Sequence, residues 1–188
     1  MSLATQEFPE AYINPRGIPR VEFVENVETL LKNRGVTADT MLRQFQEQYS
    51  KYKLMDHKLS QNKSQLSSRV PEIQKTLETV RFLKRRLEEE GAAIDTHYGL
   101  TDSVFCAAQV PPQRTVHLWL GANVMVEYPF DEAVALLEKN LSAAKRNLES
   151  TTEDLAWLRD QQVILEVNTA RVYNYDVVKR RGEGNGSQ

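Results

Sequence analysis

The sequence predicts a mainly α fold, a long antiparallel coiled-coil hairpin with two short β-hairpins inserted between its helices. Three observations carry this. An apolar residue recurs every seven positions from Phe45 to Leu87, a second such repeat starts at Val134, and between them lies a stretch of β-formers broken by turn residues. Composition agrees: 27% charged and 40% hydrophobic residues with only 8 glycines and 7 prolines in 188 residues suit long helices better than a many-turned sandwich or barrel.

Residues 1–36 read as an N-terminal arm. Pro9, Pro15, Gly17 and Pro19 keep its first part extended. Phe23, Val24, Val27, Leu30 and Leu31 then recur at helical spacing, which predicts a short amphipathic helix over Val21–Leu31, ended by Asn33 and Gly35. Its apolar face either folds back on the coil or binds a partner. Thr37 or Asp39 can cap the long helix beyond it.

The first long helix is expected over residues 37–93. Phe45, Tyr52, Leu59, Leu66, Ile73, Val80 and Leu87 form its seam. The companion position reads Tyr49, Asp56, Lys63, Val70, Leu77 and Lys84, apolar at some turns and charged at others, so the zipper is imperfect. Pro71 would ordinarily kink or break a helix, yet the heptad phase is unchanged from Leu66 to Val80, which favours a kink over a break. Gly91 ends the helix.

Residues 94–130 change texture. The stretches around His97–Leu100, Val104–Gln109, Val116–Leu120 and Val124–Tyr128 alternate in the period of strands. They are separated by Thr101–Asp102–Ser103, Pro111–Pro112–Gln113 and Gly121–Ala122–Asn123. Cys106, which alternates with alanines in a predicted strand, is expected to be a buried filler.

The second long helix is expected over residues 131–178, with Asp131 as N-cap. Val134, Leu141, Leu148 and Leu155 form one series, and Leu137, Ala144, Thr151, Leu158, Leu165 and Val172 the other. Residues 179–188, ending in Gly182–Gln188, read as a disordered tail. Residues 39–91 hold 11 Lys/Arg and 8 Asp/Glu, a net +3, whereas residues 131–176 hold 5 and 9, a net −4. Opposite signs favour pairing of the two helices within one chain, although exposed charges add only modestly. If Gly91 pairs near Asp131, Tyr49 falls opposite Tyr175.

Several function classes find no support. A net charge of −2 gives no basic field for nucleic acid. One cysteine excludes an intrachain disulfide, Met1–Glu10 has no signal-peptide core, and Val116–Val126 is too short for a bilayer, so no membrane contact is expected. His57, His97 and His117 lack metal-ligand spacing, Asp56–His57 has no nucleophile beside it, and Gly121 makes no phosphate loop. No catalytic, metal or cofactor residue is assigned, and the chain is not expected to be an enzyme.

The insert demands partners instead. Two hairpins carrying Val104, Phe105, Val116, Leu118, Trp119, Leu120, Val124, Val126 and Tyr128 cannot cover both their faces or their strand edges. These nine residues are the expected oligomerisation surface, and the natural partner is another subunit with a similar insert.

More specific motifs accompany this architecture: Asn14–Pro15–Arg16–Gly17–Ile18–Pro19, Leu120–Gly121–Ala122–Asn123–Val124–Met125–Val126–Glu127–Tyr128, residues 131–141, and Ala170–Arg171–Val172–Tyr173–Asn174–Tyr175–Asp176–Val177. From about Asn14 to Arg181 the chain resembles the alpha-class prefoldin subunits. The resemblance implies a heterohexamer with one further alpha-class and four beta-class subunits, joined through a double β-barrel. It implies an ATP-independent chaperone whose coiled-coil tips hold unfolded actin and tubulin and deliver them to the cytosolic chaperonin. It implies a cytoplasmic protein, with the basic Lys179–Arg180–Arg181 run leaving room for a nuclear one.

On that reading the free helix ends grip clients. The candidates are Met41, Leu42, Phe45, Tyr49, Tyr52 and Met55 on the first helix, with Leu165, Val172, Tyr173 and Tyr175 on the second. Phe45 and Tyr52 also lie on the seam, where packing alone accounts for them. The alternative function is a structural or scaffolding subunit of a prefoldin-like complex.

Overall fold

A computed structural model of the chain describes residues 14–89 and 91–185, with side chains described as far as residue 182. The elements in order are α1 (Val27–Arg34), α2 (Ala38–Glu89), β1 (Ile94–Thr101), β2 (Val104–Val110), β3 (Thr115–Gly121), β4 (Val124–Pro129) and α3 (Phe130–Asn185). Two long helices with two hairpins between them is the predicted fold class. The chain forms two compact units. One joins residues up to Gln65 with those from Leu148 onward, and the other is Leu66–Asn147.

In the unit Leu66–Asn147, Leu77 and Val80 of α2 pack on Phe130, Ala133 and Leu137 of α3, with Ile73, Leu83, Leu87, Val134 and Leu141 around them. Lys84 Nζ donates to Asp131 Oδ1 at 2.5 Å and Arg81 pairs with Glu138, so numbers rise along α2 as they fall along α3. The helices are antiparallel, and oppositely charged residues meet across them. Pro129 ends β4 and Phe130 opens α3 directly, so Asp131 sits in the first helical turn rather than capping it.

α2 passes through Pro71 without interruption. The missing N–H is the one that would bond the Ser67 carbonyl, and both residues are exposed, so water can serve that carbonyl. Pro71→Ala is therefore expected to raise stability by about 1–2 kcal/mol, the restored helix propensity outweighing the freer unfolded chain. Thermal unfolding followed by helical circular dichroism checks this, and an unchanged or lower Tm would contradict it.

β1 pairs antiparallel with β2, and β3 with β4, as two separate two-stranded sheets. The β3–β4 turn places Ala122 at φ 48° and Asn123 at φ 62°. Left-handed conformations at both central residues define a type I′ turn, whose twist matches paired strands. In each hairpin the register slips beside the turn, between Gly99 and Thr101 and between Trp119 and Gly121.

The other unit has a third layer. Ile18, Val21, Val24 and Val27 of the arm, Met41, Phe45 and Tyr52 of α2, and Trp157, Leu158, Leu165 and Val172 of α3 share one core. The expected helix over Val21–Leu31 is shorter and later. α1 begins at Val27 because the Asn26 side chain accepts the Thr29 N–H at 3.0 Å, and it stops at Gly35, φ 62°. Residues 18–25 are neither helix nor strand. Their buried positions are Ile18, Val21 and Val24, continued by Val27, a period of three rather than 3.6. Phe23, assigned to the apolar face on helical spacing, is half exposed and lies under the Arg171 guanidinium at 4.9 Å.

α3 runs on to Asn185 where the sequence predicted an end near residue 178. Arg180 pairs with Asp176 one turn back at 2.7 Å and reaches Asp39 at 3.8 Å, which extends helical support into the basic run. Residues 186–188 of the expected disordered tail, and residues 1–13 of the arm, lie outside the described residues.

Candidate functional site

The predicted oligomerisation residues divide by face. On β3–β4, Leu118 is buried against the coiled-coil core of its own unit, with Val116 and Tyr128 half-buried beside it. Packing within its own chain accounts for Leu118. β3 and β4 need one face covered, and α2 and α3 cover it. Val126, cross-strand from Leu118, is likewise half-buried. The opposite face carries Trp119, 60% exposed, beside its cross-strand partner Met125, and Leu120 and Val124 are also exposed.

β1–β2 is more open. Val104 and Phe105 are exposed, and so are Tyr98 and Leu100, which the sequence pattern alone did not single out. Cys106 is exposed rather than a buried filler, because nothing among the described residues packs on that hairpin's face. Both sheets end in unpaired edges, which expose rows of backbone donors and acceptors. Met125 was legible as the residue opposite Trp119 across the turn.

The predicted helix-end residues divide more sharply. Met41, Phe45, Tyr52, Leu165 and Val172 are buried, Met41, Leu165 and Val172 completely so. They lie inside the chain's own core in this arrangement, so contact with another protein through them requires that core to open. The cause is the arm, which covers the side of the helix pair on which they meet. Leu42, Tyr49 and Tyr175 are half-buried at the edge of that core, whereas Met55 and Tyr173 are exposed.

Registry also departs from expectation. Tyr49 Oη donates to Glu166 Oε1 at 2.7 Å, so Tyr49 sits opposite Glu166 and not Tyr175. Asp131 pairs with Lys84 rather than lying beside Gly91, and this offsets the helices by about two turns from the assumed pairing. Leu42, Phe45, Tyr49, Glu166, Ala170 and Tyr173 line an open groove.

The arm is fixed by side chains of both long helices. Arg16 Nε donates to both carboxylate oxygens of the buried Asp154 at 2.7 Å, and Asn14 Nδ2 donates to the same group at 2.7 Å. Arg16 also reaches Glu153 at 2.8 Å. Hydrogen bonding to Glu153 is the main cause holding the Arg16 pKa above its ordinary value, opposed by partial burial and reinforced by Asp154. Farther along, Gln161 Oε1 accepts the Val21 N–H at 2.8 Å. Asn168, fully buried, accepts the Val24 N–H at 2.9 Å and donates to the Glu22 carbonyl at 2.8 Å. Tyr52 Oη donates to the Pro19 carbonyl at 2.9 Å, and burial raises the Tyr52 pKa, which keeps the phenol a donor. Arg171 donates to the Glu25 carbonyl at 2.9 Å. None of Asp154, Gln161 or Asn168 was singled out in the sequence, where each reads as an ordinary polar helix residue.

Among the described residues no group of three or more His, Cys, Asp or Glu side chains could hold a metal ion, and no helix is long and apolar enough to cross a membrane.

Residues 52–175 match the family model described as prefoldin subunit. The chain is 51% identical over 165 residues to prefoldin subunit 3 of Mus musculus, covering 87% of this chain and 84% of that one. It is 40% identical over 181 residues to prefoldin subunit 3 of Drosophila melanogaster, covering 96% and 91%. To the probable prefoldin subunit 3 of Schizosaccharomyces pombe it is 43% identical over 168 residues, covering 89% and 95%.

Proposed function

The chain belongs to the prefoldin family, with the chaperone role and the assembly with other prefoldin subunits which that membership carries, and on this premise we propose that it captures unfolded proteins such as actin and tubulin and passes them to the cytosolic chaperonin. Residues 94–130 serve assembly, through Phe105, Trp119, Leu120 and Val124, with one further alpha-class and four beta-class subunits. The start of the helix over 37–93 and the end of the helix over 131–178 serve client holding, without ATP, in the cytoplasm and also the nucleus, and the arm over 1–36 folds back on the coil.

The observation that carries the client reading is the open groove of Leu42, Tyr49, Ala170 and Tyr173. Aromatic and small side chains around an open concavity offer adaptable apolar contact to chains of varied sequence. Tyr173 is exposed at its rim, where an incoming chain can reach it. The test is a reconstituted complex carrying Tyr49→Ser and Tyr173→Ser. It is expected to assemble normally yet need several-fold more complex to suppress aggregation of denatured actin. Undiminished suppression by a correctly assembled complex would remove the groove from client holding.

Burial of five of the ten expected contact residues supports a second reading, a structural or scaffolding subunit whose helix ends are sealed. The same measurement separates the two, since a scaffold would tolerate both substitutions.

A further inference from the structure

The arm is held in an unusual manner for a piece of core. From Ile18 to Asn26 it makes no helix and no strand, and its apolar side chains enter the core at every third position. Three is the period of an extended polyproline-type chain, which has no internal hydrogen bonds and offers its backbone to whatever surrounds it. Here four side chains of the long helices take that offer. Tyr52, Gln161, Asn168 and Arg171 bond the backbone of Pro19, Val21, Glu22, Val24 and Glu25. Asn168 does so in both senses, accepting from one residue and donating to another two positions earlier.

A carboxamide buried completely in a helix pair is costly unless both its ends are bonded. Asn168 finds both partners only in an extended backbone. The side chains that enter the core beside it, Ile18, Val21, Val24 and Val27, bring aliphatic surface and no polar group. Side-chain groups that bond the backbone, with aliphatic contacts at every third residue, describe a site for an extended polypeptide.

We propose that the groove between α2 and α3 formed by Tyr52, Leu158, Gln161, Leu165 and Asn168 is a binding site for an extended polypeptide with an aliphatic residue at every third position, and that residues 14–27 are its resident, displaceable occupant. Tethering gives the arm a high effective concentration, so a segment arriving from elsewhere must outcompete it. Arg16 Nε, shared between both oxygens of Asp154, fastens the start of the arm, so displacement has to break that contact. This deepens the client-holding reading and rests on it only for the identity of the competing segment, an unfolded chain.

The experiment uses the assembled complex with full-length chain. Val21→Asp and Val24→Asp together evict the arm without altering any groove residue. A fluorescein-labelled peptide of residues 14–27 is then titrated by anisotropy. The evicted complex is expected to bind it at least tenfold more tightly than the unaltered one, and adding Asn168→Ala is expected to remove most of that gain. Equal binding by the evicted and unaltered complexes, or binding indifferent to Asn168→Ala, overturns the proposal. Hydrogen exchange over Met41–Tyr52 and Leu158–Val172 guards against misreading. Protection of both segments must survive eviction, and its collapse overturns the proposal by making the arm an inseparable part of the core. Peptide binding in the evicted complex without any change in actin holding leaves this site standing and removes the client reading instead.

Discussion

A chain carrying Trp119→Asp is expected to lose its partner subunits while keeping its helical circular dichroism. Trp119 projects from β3 with Met125 opposite it, on the face of the hairpin that the chain's own helices do not cover. A two-stranded hairpin is marginal alone, and an apolar face with two free edges gains most when other strands close on it. Buried aromatic anchors in such contacts are worth at least about 2 kcal/mol each on truncation. A carboxylate at that position adds the desolvation of an unpaired charge, several kcal/mol more, which suffices to abolish co-purification at micromolar concentration. Leu118→Asp supplies the contrast. One position away in β3, it points into the core of Leu77, Val80 and Phe130, so it is expected to lower the Tm of the helices as well as blocking assembly. Retention of the full complex by Trp119→Asp would mean that the exposed face of β3–β4 is not an assembly surface.

The contrast between these neighbours shows what the sequence could and could not convey. Alternation in β3 identified two faces, but nothing local states which face the coil takes. The register slip between Trp119 and Gly121 shifts the alternation again near the turn. The helices were more legible. Every seam residue from Phe45 to Leu87 is buried or half-buried, and even the charged companions Asp56, Lys63 and Lys84 are half-buried, because a heptad encodes its own partner face. Continuity across Pro71 followed from unbroken phase.

The arm was not legible, for a physical reason. Val21, Val24, Val27 and Leu30 are spaced by three, which satisfies a helical template nearly as well as an extended one, and Phe23 and Leu31, four residues either side of Val27, complete the helical pattern. Its partners lie far off in sequence, Gln161 at a separation of 140 residues from Val21 and Asn168 at 144 from Val24. A polar residue on a helix looks solvated until the donor that meets it is known. Trp157 was the available signal. It belongs to neither heptad series, yet a tryptophan beside Leu158 widens the apolar face beyond what a two-helix coil covers.

That geometry makes Asn168→Leu the sharpest test of how the arm is held. Leucine has the branched outline of asparagine with somewhat more bulk and suits the surrounding Leu165 and Val172, so packing of α2 on α3 keeps its apolar contacts. What disappears is the acceptor for the Val24 N–H and the donor for the Glu22 carbonyl. An unpaired buried backbone group costs about 1–3 kcal/mol, so two together amount to about 2–6 kcal/mol directed against the arm alone. Amide hydrogen exchange is expected to show this as protection lost at Val21 and Val24, with little change at Leu158 or Leu165. Leu165→Ala behaves differently, because a methyl-lined void in the shared core costs about 2–5 kcal/mol felt by arm, α2 and α3 together. Uniform loss of protection in Asn168→Leu, matching that of Leu165→Ala, would show that the arm and the helix pair open as one unit. Selective loss would show that the two hydrogen bonds of one buried asparagine side chain decide whether this end of the helix pair is covered.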